Sequence, residues 1–271
     1  MYIKKYLINH YGCLKLIIVF LYFVIGVVMS SKINAQPLMI AHAGGGIDGK
    51  MYTNSIEALN SNYAKGFRYF EIDFSWTSDH HLVCLHDWGK RFKLNFGYKT
   101  KQPLSLRKFQ ELLNRQDKSH PCTLETLSAW VIAHPESTII TDVKYNNIDA
   151  IKLIVNQFPE LSKNLIPQFY QPSEYKILKE LGFKQLIWIL YQFEGKKSSI
   201  EYYANKMELF AISMRTSQAK KRWAQELINS HHTVFTYTVN KPKTFNKLVK
   251  KYGVKGIYTD FLGSDPINND N

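Results

Sequence analysis

The strongest constraint on this chain is a rhythm that fills its second half. Six short apolar runs with strand character, at 138–143, 165–170, 186–191, 209–214, 234–239 and 256–260, are separated by helix-length amphipathic stretches. Those stretches cover 148–157, 173–181, 199–207, 217–230 and 243–252. Strands joined by crossover helices pair in parallel and bury a sheet beneath the helices.

The first half adds three strands. Residues 38–41 form a strand candidate that ends in His42-Ala-Gly-Gly-Gly46. Asn54 is the expected cap of the helix that follows, with Glu57 reaching back as in a capping box, and Lys65-Gly66 closes that helix. Two further apolar runs, 69–76 and 82–85, flank Thr-Ser-Asp-His. That break is too short for a crossover, so they form a hairpin folded at about 78–80. Nine strands including the hairpin fit an α/β fold of the (β/α)8 TIM-barrel type with one irregular unit near its N-terminal end. An open doubly wound sheet is the alternative, but it would gather polar residues at one switch point and not at many strand ends. Residues 89–104 read as a basic, irregular loop carrying Lys90, Arg91, Lys93, Lys99 and Lys101, and 105–113 and 123–133 as helices. No Gly/Ser/Pro linker or internal repeat divides residues 36–271, which read as one domain.

Residues 1–35 stand apart. Lys4, Lys5 and Lys15 precede an apolar run from Leu16 to Met29, and Ala35 offers a small residue at a cleavage position. This is the pattern of a secretory signal. An uncleaved anchor is the alternative, although fourteen apolar residues fall short of the about 20 a membrane span needs. Either way the remainder is exported, to the periplasm or beyond, with membrane association through residues 16–29 in the anchored case. The chain carries a formal +13; removing residues 1–35 takes away four lysines and no acid and leaves +9. That excess suits an anionic substrate or surface. Nucleic acid is not expected, since no Lys/Arg block with interleaved aromatics stands out. Cys84 and Cys122 are the cysteines beyond the leader. Two cysteines are not a disulfide framework, so packed free thiols are expected, with pairing in an oxidising compartment as the alternative.

Barrel active sites collect at the C-terminal ends of the strands. His42, Glu71, Asp73, His86, Asp142, Lys144, Asn240 and Asp260 all fall there. Alternation along a strand puts Glu71 and Asp73 on one face, and the hairpin returns His86 beside them. Three converging carboxylates, Glu71, Asp73 and Asp142, need a counter-ion or protonation, because two like charges about 4 Å apart repel by roughly 4 kcal/mol at an effective dielectric of about 20. An all-oxygen set favours a divalent cation of the Ca²⁺ or Mg²⁺ kind over zinc. Lys144 beside that cation makes a receptor for phosphate. Two histidines with near-neutral pKa values, His42 and His86, can pass protons to and from oxygen.

Seven short segments in order complete the pattern: Ile40-Ala-His42, Thr53-Asn54-Ser55, Glu71-Ile-Asp73, Leu85-His86-Asp87, Asp142-Val-Lys144, Thr238-Val-Asn240 and Gly256-Ile-Tyr-Thr-Asp260. Over residues 38–261 the chain resembles the glycerophosphodiester phosphodiesterases of the phosphatidylinositol-phospholipase-C-like barrel superfamily. The resemblance implies a metal-dependent phosphodiesterase with His42 and His86 as the acid–base pair. It also implies Glu71, Asp73 and Asp142 as metal ligands and Lys144 on phosphate. Asn54 and Asn240 are further candidate substrate contacts. Ala43 stands where that family usually has a phosphate-binding Arg, Thr53 where it has Glu, Asp142 where it has Glu, and Tyr237 where it often has Trp. Arg91, with Lys90 and Lys93, is the candidate replacement for the missing arginine. The expected substrate is a small-molecule or lipid-derived phosphodiester. Two rival readings are a phospholipase D-like lyase that forms a cyclic phosphate, and a non-catalytic anion-binding barrel.

Overall fold

Why one end of this protein is apolar and the other chemically active follows from a two-residue period repeated around a closed sheet. The structure, a computed structural model, describes residues 36–115 and 121–266; the leader or anchor read at 1–35 lies outside them. Strands β1 (Leu38–Ala41), β2 (Tyr69–Trp76), β4 (Thr138–Val143), β5 (Leu165–Phe169), β6 (Ile187–Ile189), β7 (Ala211–Arg215), β8 (Val234–Tyr237) and β9 (Gly256–Thr259) run parallel. β1 pairs with both β2 and β9, which closes the eight strands into a TIM barrel. The hairpin strand β3 (Leu82–Val83) pairs antiparallel with β2 outside the barrel.

Inside the barrel, Ile40, Ile140, Ile166, Ile187, Ala211, Phe235 and Tyr258 form the floor. Two residues further along each strand, the same inward period reaches His42, Asp142, Gln168, Ile189, Ser213, Tyr237 and Asp260. Gly256 is needed below: a Cβ there would lie 2.2 Å from the Phe235 ring. The outward period, with Phe70, Ile72, Phe74, Ile139, Phe169, Trp188, Ile212 and Val234, packs against the helices as a second and larger core.

The helices are α1 (Ile56–Ala64), α2 (Lys90–Phe96), α3 (Leu106–Leu113), α4 (Leu124–Ala133), α5 (Asn147–Gln157), α6 (Pro159–Ser162), α7 (Pro172–Glu180), α8 (Ile200–Ala204), α9 (Thr216–Ala219), α10 (Arg222–Asn229) and α11 (Pro242–Tyr252). Among the described residues no helix is long and apolar enough to cross a membrane.

Four expectations are corrected. The supposed loop 89–104 contains α2, because Phe92 and Phe96, one turn apart, pack with Trp88 and Phe109 in a separate small core. Ser55 caps α1 instead of Asn54: its Oγ accepts from the Ala58 amide. The 217–230 stretch is two helices, α9 and α10, not one. The cysteines are not free thiols but form the disulfide Cys84–Cys122. After β3 the chain lies beside the segment entering α4, where Val83 bridges Thr123 and the Cys84 amide donates to the Cys122 carbonyl at 2.8 Å. That places the two Cα atoms 4.9 Å apart, within disulfide reach.

Candidate active site

The register of β2 on β4 sets Asp73 directly beside Asp142, and Glu71 lies two residues back on the same face. Ligand oxygens of these three acids come within 4.8 Å of one another. Separations of that size leave about 3–4 kcal/mol of repulsion per pair at an effective dielectric of about 20. Lys144 offsets part of it, with Nζ 2.8 Å from Asp73 and 3.2 Å from Asp142. Burial by itself would lower the lysine, but Asp73 and Asp142 hold it charged, well above its usual range. Glu71 and Asp73 part ways. Burial and the neighbouring Asp73 charge push Glu71 up. Burial would push Asp73 up too, but Lys144 and then the two histidines bring it down.

The donor set suits a hard divalent cation. Glu71 uses Oε2 to accept the Ala43 amide at 2.8 Å, while its Oε1 is buried without a hydrogen-bond partner. The other two acids are held from behind. Asn54 grips Asp73, accepting its amide and donating to its carboxylate. Tyr170 and Tyr191 both donate to Asp142 Oδ1. Three crowded carboxylates with one buried oxygen left over could hold such a cation through oxygen alone.

The two histidines each carry an aspartate. His42 Nδ1 lies 2.8 Å from Asp260, and His86 Nδ1 lies 2.7 Å from Asp87. A carboxylate partner fixes a ring proton on Nδ1 and turns Nε2 to the other side, where that of His42 lies 3.9 Å from Glu71 Oε2. Burial would lower His42, but Asp260 and the charge of Glu71 raise it to about 9. Tyr52 stands edge-on between the rings, 4.6 Å from His42 and 5.1 Å from His86. One pocket is lined by both histidines, all three acids and Lys144, with Tyr52, Gln168, Tyr191, Arg215, Tyr237 and Tyr258 beside them.

Over residues 45–264 the sequence matches the model of the Glycerophosphoryl diester phosphodiesterase family. The chain belongs to that family. It is a phosphoric diester hydrolase of the glycerophosphodiester phosphodiesterase type. Solved structures share its fold. One is a glycerophosphodiester phosphodiesterase from Thermotoga maritima, at 18% identity and TM-score 0.66, covering 83% of this chain and 95% of that one. A second, from Parabacteroides distasonis, is 21% identical with TM-score 0.61, covering 83% and 94%. A third is a phosphodiesterase from Oleispira antarctica in complex with the product sn-glycerol-3-phosphate, at 16% identity and TM-score 0.58, covering 86% and 96%.

Within this family the departures acquire positions. Ala43 is fully buried and has only backbone to offer: its amide donates to Glu71, and its carbonyl accepts the Asn54 amide at 3.0 Å. Lys90 and Lys93 are exposed on α2, and Arg91 lies over the Tyr52 ring at 3.6 Å, at the pocket's edge and outside its lining. Arg215, at the end of β7, does line it. Asn54 and Asn240 lie behind the acids instead of facing the pocket. Asn240 holds Asp260 by accepting its amide at 2.8 Å and donating to its carboxylate at 2.7 Å. Arg215, Tyr52 and the tyrosines at 170 and 191 were not singled out by sequence reasoning. For Arg215 a signal existed, since it follows Ala211 and Ser213 on the inward period.

Proposed function

We propose that this protein is an exported, divalent-cation-dependent phosphodiesterase that cleaves a glycerophosphodiester to glycerol phosphate and an alcohol, with His42 and His86 as the proton-transfer pair. The observation that carries this reading is convergence: two Nδ1-anchored histidines, three crowded carboxylates and Lys144 share one pocket. Glu71, Asp73 and Asp142 would hold Ca²⁺ or Mg²⁺. When bound, such a cation supplies Lewis-acid stabilisation of phosphoryl charge and lowers the pKa of the attacking hydroxyl.

The remaining work falls to side chains. Lys144, and Arg215 in place of the arginine absent at 43, neutralise the phosphate as charge builds on its oxygens. One histidine Nε2 takes the proton of the incoming hydroxyl, and the other returns a proton to the departing alkoxide. Asp260 and Asp87 keep each ring in the tautomer this needs. Asn54 and Asn240 act one step back, by holding Asp73 and Asp260.

Export is supported by the basic-then-apolar leader and by the Cys84–Cys122 disulfide, which belongs to an oxidising compartment. Asp142 and Ala43 favour a second reading, in which the substrate's own hydroxyl attacks and a cyclic phosphate is the product. Phosphorus NMR of glycerophosphocholine turnover separates them. Glycerol phosphate as the first product supports hydrolysis, a persistent cyclic phosphate supports transfer, and no turnover with either cation removes both.

A further inference from the structure

Among the described residues seven large apolar side chains are more than two-fifths exposed, and their placement is uneven. Ile132 and Tyr202 sit on the outer helices α4 and α8. The other five, Met51, Leu94, Tyr98, Tyr145 and Phe261, lie on segments that leave the C-terminal ends of β9, β1, β3 and β4, beside the active-site pocket.

Contacts join these five into one arc. Phe261 packs on Gly46, where even a Cβ would meet its ring at 2.3 Å. The loop from Gly46 leads to Met51 and Tyr52, and the Tyr52 ring lies under Arg91 of α2. On α2, Phe92 contacts Tyr98 with ring centroids 5.3 Å apart, while Leu94 points to solvent. Trp88 then donates to the Trp76 carbonyl, and Trp76 donates to the Tyr145 carbonyl at 2.9 Å. The inner face of α2, Phe92 and Phe96, is already packed, so the fold does not need Leu94.

Charge distinguishes the occupant. Residues 46–52 and 89–101 carry Lys50, Lys90, Arg91, Lys93, Lys99 and Lys101 against the single acid Asp48. Protein-binding patches are depleted in lysine, whereas lysines set beside exposed side chains such as Met51 and Leu94 suit the headgroup layer of an anionic bilayer. Met51 and Leu94 also have no flat face to stack on a nucleobase. We propose that this arc is a docking face for an anionic phospholipid surface, which sets the mouth of the pocket against the headgroups. The proposal goes beyond the phosphodiesterase reading and holds whichever phosphodiester is cleaved.

The test uses the full chain with Cys13→Ser, so that the disulfide holds the remaining native cysteines. An environment-sensitive fluorophore is attached through Leu94→Cys, Tyr145→Cys or, as control, Lys163→Cys, which is exposed just before β5 at the opposite end of the barrel. Vesicles of phosphatidylglycerol are expected to raise emission severalfold and shift it to the blue at 94 and 145 but not at 163. Phosphatidylcholine vesicles should have little effect, and about 1 M salt, where the Debye length is about 3 Å, should reverse the change. No response at 94 and 145 overturns the proposal, and so does an equal response at all three positions, which means tethering by the N-terminal segment alone. So does a shift that follows protein concentration without lipid, or one that a single-stranded oligonucleotide reproduces.

Discussion

His42 and His86 make the same hydrogen bond to an aspartate, yet they are held in opposite ways. Asp260 comes to His42 from 218 residues away, just past the end of the strand that closes the barrel, and is itself gripped by Asn240. Asp87 is the residue after His86, and its other oxygen accepts the amides of Gly89 and Arg91 at the start of α2. The first pair is buried, with the His42 side chain 11% exposed and Asp260 2%; the second is open, at 27% and 36%. One imidazole is therefore a property of the whole fold and the other of a local turn. A buried pair loses more when one member is removed, because the remaining partner is left without solvent.

Five outcomes would break or sharpen that contrast. The largest effect is expected for His42→Ala and His86→Ala, each lowering kcat by about 10²–10⁴-fold in a phosphodiester assay while calorimetry still detects cation binding. Next come the aspartates. Asp260→Asn should cost about a hundredfold in kcat and Asp87→Asn only about tenfold; equal losses would show that burial does not set the difference. Asn240→Ala, acting through Asp260, should fall near the smaller value and alter the pH profile more than KM.

Stability adds a signed test in cation-free protein. The folded-state pKa of His42, about 9, lies above its ordinary value of 6.5. The stability it contributes is therefore fully present below pH 6.5 and lost as pH rises through about 9. Asp260→Asn should destabilise by at most about 3 kcal/mol near pH 6 in urea titrations, and should converge on the parent protein near pH 10.

The smallest effect on turnover belongs to the disulfide, which ties down the His86 limb two residues before the ring. Cys84→Ser with Cys122→Ser should lower unfolding stability by up to about 4 kcal/mol, the loop-closure value for a 38-residue separation, yet change kcat only a few-fold.

The same contrast explains what could be read from the sequence. His86-Asp87 is adjacent in the chain, and Glu71-Ile-Asp73 and Asp142-Val-Lys144 are visible because a strand's period of two puts both ends on one face. The barrel itself is legible in the repeated strand–helix spacing. Contacts made by closure are not: nothing local tells that Asp260 backs His42, or that Cys84 meets Cys122. Asn54 shows a competition between local and distant partners. It has the chemistry of a helix cap, but both ends of its amide go to Asp73 once β2 packs against the loop, and the adjacent Ser55 takes the cap. Helix α2 was hidden by basic residues on its outer face, although Phe92 and Phe96 had helical spacing.

The central claim is that carboxylates and histidines divide the labour in one pocket, the first holding a cation and the second moving protons. Phosphorus NMR of glycerophosphodiester turnover tests it most directly, run on the parent protein and His42→Ala, each with Mg²⁺ or Ca²⁺ and then with chelator. The account predicts glycerol phosphate from the parent protein only when the cation is present, and formation at least about a hundredfold slower from His42→Ala with the cation. Hydrolysis that survives chelation, or that His42→Ala sustains at the parent rate, would contradict it.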